Sequence, residues 1–298
     1  MQYQILLYYK YVPIDDPTAL MDSQRQLCSK LNLKGRIIIA TEGINGTVEG
    51  TFEDTELYVQ ELTQDPRFTD IHWKKSEGTG NAFPRLSIKV RSEIVSSHLG
   101  ERDVDPTKTT GKYLSPEELH QWFESGKQFS IVDMRNDYEH RVGHFENSML
   151  PELANFRDLP EILNSIEHLR DKPVLTVCTG GVRCEKASGF LVTQGFTDVY
   201  QLQGGIVSYM EKFPNKNFLG KLYVFDGRIV MGFGDDAADD YVMLGRCDLC
   251  DTPSERYVNC ANPTCHKHFI CCTNCAPEIS AAFCSEECSE KIRATALV

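Results

Sequence analysis

The cysteines of this 298-residue chain are placed so unevenly that they divide it before any other pattern is read. Only Cys28, Cys178 and Cys184 precede residue 247, and the other nine crowd between Cys247 and Cys288. They fall in short-spaced groups: Cys247-x2-Cys250, Cys260-x4-Cys265, Cys271-Cys272-x2-Cys275 and Cys284-x3-Cys288. Cysteines spaced this closely can reach one ion, and two such pairs complete a tetrahedron of thiolates. The segment has few large apolar residues, so a metal is what would hold it folded. The expectation is two structural zinc ions with interleaved ligands: Cys247 and Cys250 with Cys272 and Cys275, and Cys260 and Cys265 with Cys284 and Cys288. Sequential pairing is the rival arrangement. Cys271, His266 or His268 stand as substitute ligands, and an iron–sulfur site or free thiols are the other uses of the segment. A closed four-thiolate site leaves no open position, so no catalysis is assigned to it.

A disulfide framework would need a secreted context. Met1-Gln2-Tyr3-Gln4-Ile5 carries no basic region leading into an apolar stretch, so no secretion signal is read there. No run approaches the about 20 apolar residues of a membrane span. With 41% hydrophobic and 25% charged residues, a soluble cytoplasmic protein of two or three domains is expected. The net charge of −12 discourages a nucleic-acid partner overall. The charge is uneven, however. Residues 72–112 carry eight basic against five acidic side chains, far in sequence from the acidic run Asp235-Asp236 with Asp239-Asp240. A local basic face is therefore available, and a solvated mixed surface is the plainer account of it.

The stretch PVLTVCTGGVRCEKASG, Pro173 to Gly189, carries the chemistry. Val174 to Val177 reads as a buried strand. Cys178 follows at once, and Thr179-Gly180-Gly181-Val182-Arg183 leads into a helix-forming run. A cysteine in that position faces converging backbone N–H groups and the positive end of a helix dipole, which favour thiolate over thiol. Gly180 and Gly181 let the loop curl, and Arg183 adds a permanent charge. A reactive cysteine is expected; a buried structural one is the alternative.

Residues 1–95 read as β-α-β-β-α-β, a ferredoxin-like α+β sandwich. The strands are Ile5–Val12, Arg36–Ala40, Thr47–Gly50 and material at Ile71–Trp73 and Leu86–Val90; the helices are Pro17–Leu31 and Thr55–Leu62. Thr41 to Gly46 reads as the turn between two strands, and Cys28 as core. Residues 96–111 are polar and read as a linker. Residues 112–215 alternate strand and helix, which implies a parallel sheet with helices on both faces and a site beyond the carboxyl ends of its strands. Helices are expected from Ser115-Pro116, over Tyr138–Val142, over Leu159–Leu169 and over Glu185–Gln194. Residues 216–246 read as a connector with a hairpin turning at Asp226-Gly227, ahead of the cysteine-rich region 247–298.

SPEEL, VDMRNDYEHRVGHFENS, VCTGGVRCEKA and YQLQGGIVSY, in this order, resemble a rhodanese domain, with Cys178 to Arg183 as its six-residue catalytic loop. With GRIIIATEGINGTVEG before it and RYVNCANPTCH after it, the whole chain is similar to the rhodanese-like tRNA uridine hydroxylases. That resemblance implies oxygen-dependent formation of 5-hydroxyuridine at the wobble position of the tRNA anticodon stem-loop. It makes Cys178 and Arg183 catalytic and Thr179, Gly180, Gly181 and Val182 the active loop, with Asp133 and Arg135 bracing it. Lys74, Lys75 and Arg85 would touch RNA. No flavin or haem motif accompanies them, and protein partners are left open. His144 reads as a structural histidine. A thiosulfate or persulfide sulfurtransferase using the same Cys178, and a non-enzymatic zinc-containing adaptor, are the alternatives.

Overall fold

The structure is a computed structural model that describes residues 2–234 and 241–295; the acidic run from Asp235 to Asp240 lies outside the described residues. The chain opens with β1 (Tyr3–Tyr11), α1 (Pro17–Lys30), β2 (Lys34–Ala40), β3 (Gly43–Thr51), α2 (Phe52–Leu62), β4 (Lys74–Gly78) and β5 (Leu86–Val90). These strands form one sheet in the order β4-β1-β3-β2-β5, antiparallel except for the β2–β5 pair. Asp16 caps α1 by accepting from the amides of Thr18 and Ala19, and Pro17 sits in the first turn, where its missing N–H costs nothing.

Strand periodicity explains how this sheet serves two neighbours. Leu6 and Tyr8 point into the core beneath α1 and α2, whereas Leu7 and Tyr9 point the other way and pack on the following domain. Two expectations shift here. The edge strand lies at Lys74–Gly78 rather than Ile71–Trp73, because Ile71 and Trp73 fill the core instead. Only Thr41 and Glu42 form the turn, so Gly43 and Gly46 belong to β3. Gly46 lies against the buried Tyr8 ring, and a Cβ there would overlap it.

The central domain contains β6 (Lys112–Leu114), α3 (Pro116–Glu124), β7 (Ser130–Asp133), α4 (Asp137–His140), β8 (Gly143–Phe145), α5 (Leu163–Ile166), β9 (Pro173–Val177), α6 (Val182–Thr193), β10 (Asp198–Leu202) and α7 (Gly205–Lys212). Its sheet is parallel in the order β6-β10-β9-β7. Ser115 and Glu118 form a capping box at the start of α3, with Pro116 in the first turn. The helix expected over Leu159–Leu169 is a broken run: 3₁₀ turns at Phe156–Ile162, which contain Pro160, and at Glu167–Leu169 flank α5. The helix expected over Tyr138–Val142 is the single turn α4, and Gly143-His144 opens a strand rather than a turn. His144 is structural there, its Nδ1 2.9 Å from the His140 carbonyl oxygen.

Residues 96–111 are not a loose tether. Leu99 and Val104 are buried in the central core. The Gly111 amide donates to Ser188 Oγ at 2.8 Å, and Lys186 donates to Asp103 at 2.8 Å. Beyond α7, β11 (Phe218–Gly220) pairs with β8, and β12 (Leu222–Tyr223) pairs with β13 (Val230–Met231) in a hairpin longer than a two-residue turn would give. The cysteine-rich region adds β14 (Tyr257–Asn259), β15 (His268–Ile270) and α8 (Glu286–Thr295). It docks on the central domain around α4. The Tyr257 hydroxyl donates to the Tyr138 carbonyl, and Arg141 pairs with Asp248.

Candidate active site and metal centres

Val174, Leu175 and Val177 are fully buried, and β9 delivers Cys178 to the carboxyl edge of the sheet. The chain then turns through Gly181 at φ 101°, a left-handed conformation that glycine adopts freely, and α6 begins at Val182. The Gly181 amide donates to Cys178 Sγ at 3.2 Å. The Ile206 and Val207 amides at the start of α7 donate to the carbonyls of Cys178 and Thr179, so two helix N-termini hold the loop. Burial pushes the Cys178 thiol up. The Cys184 thiol, the Arg183 guanidinium and the amides of Cys184 and Gly181 outweigh it and bring the group to about 6. Burial and the facing Cys178 drive the Cys184 thiol the other way.

Arg183 is held by a residue the sequence did not single out. Its Nη1 and Nη2 donate to the two carboxylate oxygens of Glu139 at 2.5 and 2.8 Å, and both side chains are buried. Glu139 also accepts from the Asn136 amide at 2.9 Å. The Asn136-x-x-Glu139 spacing signals a helix cap, and a cap accounts for the glutamate without any tertiary partner. Asp133 and Arg135 form a second buried pair at 2.6 Å, and Arg135 donates onward to the Gly143 carbonyl at 2.7 Å, tying β7 to β8. Burial pushes the Asp133 carboxyl up, but Arg135 overrides it and holds the group below the usual carboxylate range.

Cys178, Thr179, Gly180, Val182 and Arg183 line a cavity of about 400 Å³. Its walls come from every part of the chain before the cysteine-rich region: Leu7, Tyr9, Lys74 and Lys75 from the N-terminal sheet, Asn155 to Arg157 from the central domain, and Phe225 and Arg228 from the hairpin. Of the three basic residues expected to meet RNA, Lys75 reaches the rim and pairs with Glu56 at 2.5 Å, and Arg85 is exposed away from the cavity. Lys74 departs from expectation: it is only 3% exposed and faces inward. As a residue on the docking face of the sheet, it cannot lie on an open basic surface.

The cysteines of the C-terminal region gather into two sets, Cys247, Cys250, Cys272 and Cys275, and Cys260, Cys265, Cys284 and Cys288. In each set the sulfurs lie within 4.8 Å of one another, and each could hold a metal ion. The two sets interleave along the chain. Cys250 and Cys272 sulfurs are 3.6 Å apart, as are those of Cys265 and Cys284. A tetrahedral ion with metal–sulfur bonds of about 2.3 Å separates its sulfurs by roughly 3.8 Å, so the donor sets fit such an ion. Cys271 belongs to neither set, and neither do His266 and His268. His268 stacks on the Tyr257 ring at 4.9 Å.

Three family profiles tile the chain in this order: a UPF0176 acylphosphatase like domain over residues 3–94, a rhodanese-like domain over 115–212 and a rhodanase C-terminal region over 219–289. Among curated proteins, the chain is 46% identical over 286 residues to a tRNA uridine(34) hydroxylase of Cytophaga hutchinsonii, covering 96% of this chain and 89% of that one. It is 45% identical to the protein of the same name from Staphylococcus carnosus, covering 98% and 92%. This chain belongs to the tRNA uridine(34) hydroxylase family. The relative named so in Bacillus licheniformis is 46% identical and aligns with 91% of this chain and 83% of its own. The match to this hydroxylase family runs through all three regions that wall the cavity and on through both cysteine sets. No helix among the described residues is long and apolar enough to cross a membrane.

Proposed function

We propose that this protein is a tRNA-modifying enzyme that hydroxylates C5 of the wobble uridine, with dioxygen as co-substrate and Cys178 as the nucleophile. The observation that carries the reading is a cysteine held as thiolate near neutral pH and turned into a cavity of about 400 Å³, within the size range of small-molecule pockets. An anticodon base lies in a single-stranded loop and can be splayed into such a pocket without opening a duplex. The thiolate adds to C6 of the uracil, and the π pair of the C5–C6 bond moves toward C5 and O4. C5 thereby becomes nucleophilic enough to meet oxygen. Hydroxylation takes up dioxygen, two electrons and two protons and releases water; thiol reductants oxidised to a disulfide supply the electrons. Loss of the C5 proton and departure of sulfur from C6 restore the ring and the thiolate.

Arg183 and the amides of residues 179–183 stabilise negative charge in the loop, and Glu139, Asp133 and Arg135 keep it in place. The two cysteine sets hold structural zinc, whose closed thiolate shell takes no part in the chemistry. Lys75 at the cavity rim and Arg85 away from it contact the tRNA backbone. The workplace is the cytoplasm, where the substrate is.

Nucleoside mass spectrometry on tRNA from cells lacking this protein tests the reading. Nucleosides derived from 5-hydroxyuridine should vanish, return with the wild-type gene and stay absent with Cys178→Ser. Full rescue by Cys178→Ser would remove Cys178 from the chemistry. Unchanged nucleosides, once a parallel pathway is deleted as well, would instead favour sulfur transfer by the same loop.

A further inference from the structure

The cavity beside Cys178 is lined by five cations; three are ion-paired and a fourth stands in solvent. Arg183 is bound to Glu139, Arg228 to Asp226 and Lys75 to Glu56, and Arg157 is exposed. Lys74 is different. It is 3% exposed, yet among the described residues its ammonium forms no hydrogen bond or ion pair. Its one close neighbour of note is the Tyr9 ring, whose centroid lies 4.7 Å from Nζ. The negative groups that act on it, Cys178, Glu211 and Glu185, all lie beyond hydrogen-bond or ion-pair distance, so its buried charge is only partly offset, and a structural role would be met as well by an apolar side chain.

The strand register shows why it is there. Lys74 on β4 stands directly opposite Leu7 on β1, so the two share a sheet face. Leu7 packs on Gly180 of the cysteine loop, which brings Lys74 to the roof of the cavity above the same loop. Burial lowers the Lys74 ammonium to about 8, with Cys178, Glu211 and Glu185 opposing the drop. At pH 7 the side chain therefore keeps its proton, a buried charge facing the cavity beside Cys178.

We propose that Lys74 is a further catalytic residue: its ammonium hydrogen-bonds O4 of the target uracil and stabilises the enolate formed when Cys178 adds to C6. The inference rests on the covalent reading given above. Sulfur forms a bond to C6, the C5–C6 π pair moves to the enolate, and the Lys74 proton stays on nitrogen while its hydrogen bond to O4 shortens. A preorganised, buried donor is worth far more to the developing oxyanion than to the neutral carbonyl.

The test uses the full-length, metal-replete protein and an anticodon stem-loop with 5-fluorouridine at the wobble position, under anaerobic conditions, so that only the Cys178–C6 adduct forms. Adduct formation is read by denaturing electrophoresis and divided by the thiolate fraction from iodoacetamide alkylation. Lys74→Met should lower that normalised rate about a hundredfold, the usual effect of losing one oxyanion donor, with stem-loop affinity little changed. A normalised rate within threefold of wild type overturns the proposal, because Lys74 then acts only on the thiolate. Should Lys74→Met fail to fold, the wild-type rate against pH decides. Corrected for ionisation of the 5-fluorouracil N3–H, which falls in the same range, it should rise as Cys178 ionises and fall above about 8 as Lys74 loses its proton, whereas a corrected profile that stays flat from pH 8 to 10 overturns the proposal. Wild type that hydroxylates tRNA yet forms no adduct refutes the covalent reading itself and this inference with it. An adduct in wild type and an equal one in Lys74→Met refutes Lys74 alone.

Discussion

Glu139 holds the Arg183 guanidinium by both of its outer nitrogens, at 2.5 and 2.8 Å, with both side chains buried. The pair joins α4 to the first turn of α6 and settles where the one permanent positive charge of the cysteine loop points. Bidentate geometry is what arginine supplies and lysine does not. The charge that steadies the Cys178 thiolate is therefore positioned by a carboxylate 44 residues earlier in the chain.

Removing one member of such a pair leaves the other buried and uncompensated. Glu139→Ala should destabilise the folded protein by about 3–5 kcal/mol in a denaturant titration and abolish tRNA hydroxylation. A loss under 1 kcal/mol would mean that the guanidinium finds another partner and that Glu139 is only a helix cap.

Cys178 reactivity should follow pH with a midpoint near 6. The reacting form is the thiolate, so alkylation by iodoacetamide should be fast above the midpoint and fall as pH drops through it. Arg183→Met removes a supporting charge and should move the midpoint upward. An unchanged midpoint would assign the effect to the loop amides and Cys184 alone.

The two cysteine sets should behave as independent ion sites. Purified protein should carry two zinc ions per chain. Cys250→Ser and Cys265→Ser should each remove one ion, whereas Cys271→Ser should remove none, as measured by chromogenic release. Loss of both ions from either single substitution would indicate a shared cluster.

Gly46→Ala probes the packing of β3 against β1. The added methyl would overlap the buried Tyr8 ring, whose hydroxyl lies 2.5 Å from that of Tyr58. Overpacking of this kind costs about 1–3 kcal/mol, and the urea midpoint should drop accordingly. An unaltered midpoint would show that the ring can move aside.

The cysteine sets and the Cys178 loop are legible in the sequence for the same reason: spacing limits reach. Two cysteines a few residues apart can reach one ion, and Cys-Thr-Gly-Gly after a buried strand suits the turn into a helix N-terminus. The βαββαβ order is equally local, because strand and helix periods differ. Lys74 is not legible in this way. Its basic neighbours mark a charged surface, and nothing local reports that one face of the first sheet is covered by another domain. The stretch 96–111 misleads for the converse reason: its polar composition conceals Leu99 and Val104, two buried anchors separated by charged residues. Glu139 hides behind its cap. Each miss concerns a contact between distant segments, which composition and periodicity do not encode.

Tyr138 and Arg141 bracket Glu139 in the chain, and both are gripped by the cysteine-rich region, the first through Tyr257 and the second through Asp248. Asp248 directly follows Cys247, a member of the first metal set. With zinc in these sets as proposed, a batch of this protein starved of metal would be a mixture that concentration by absorbance cannot resolve. Turnover per milligram would report how many chains were loaded during expression, and kinetic constants gathered without counting ions would describe the growth medium as much as the enzyme.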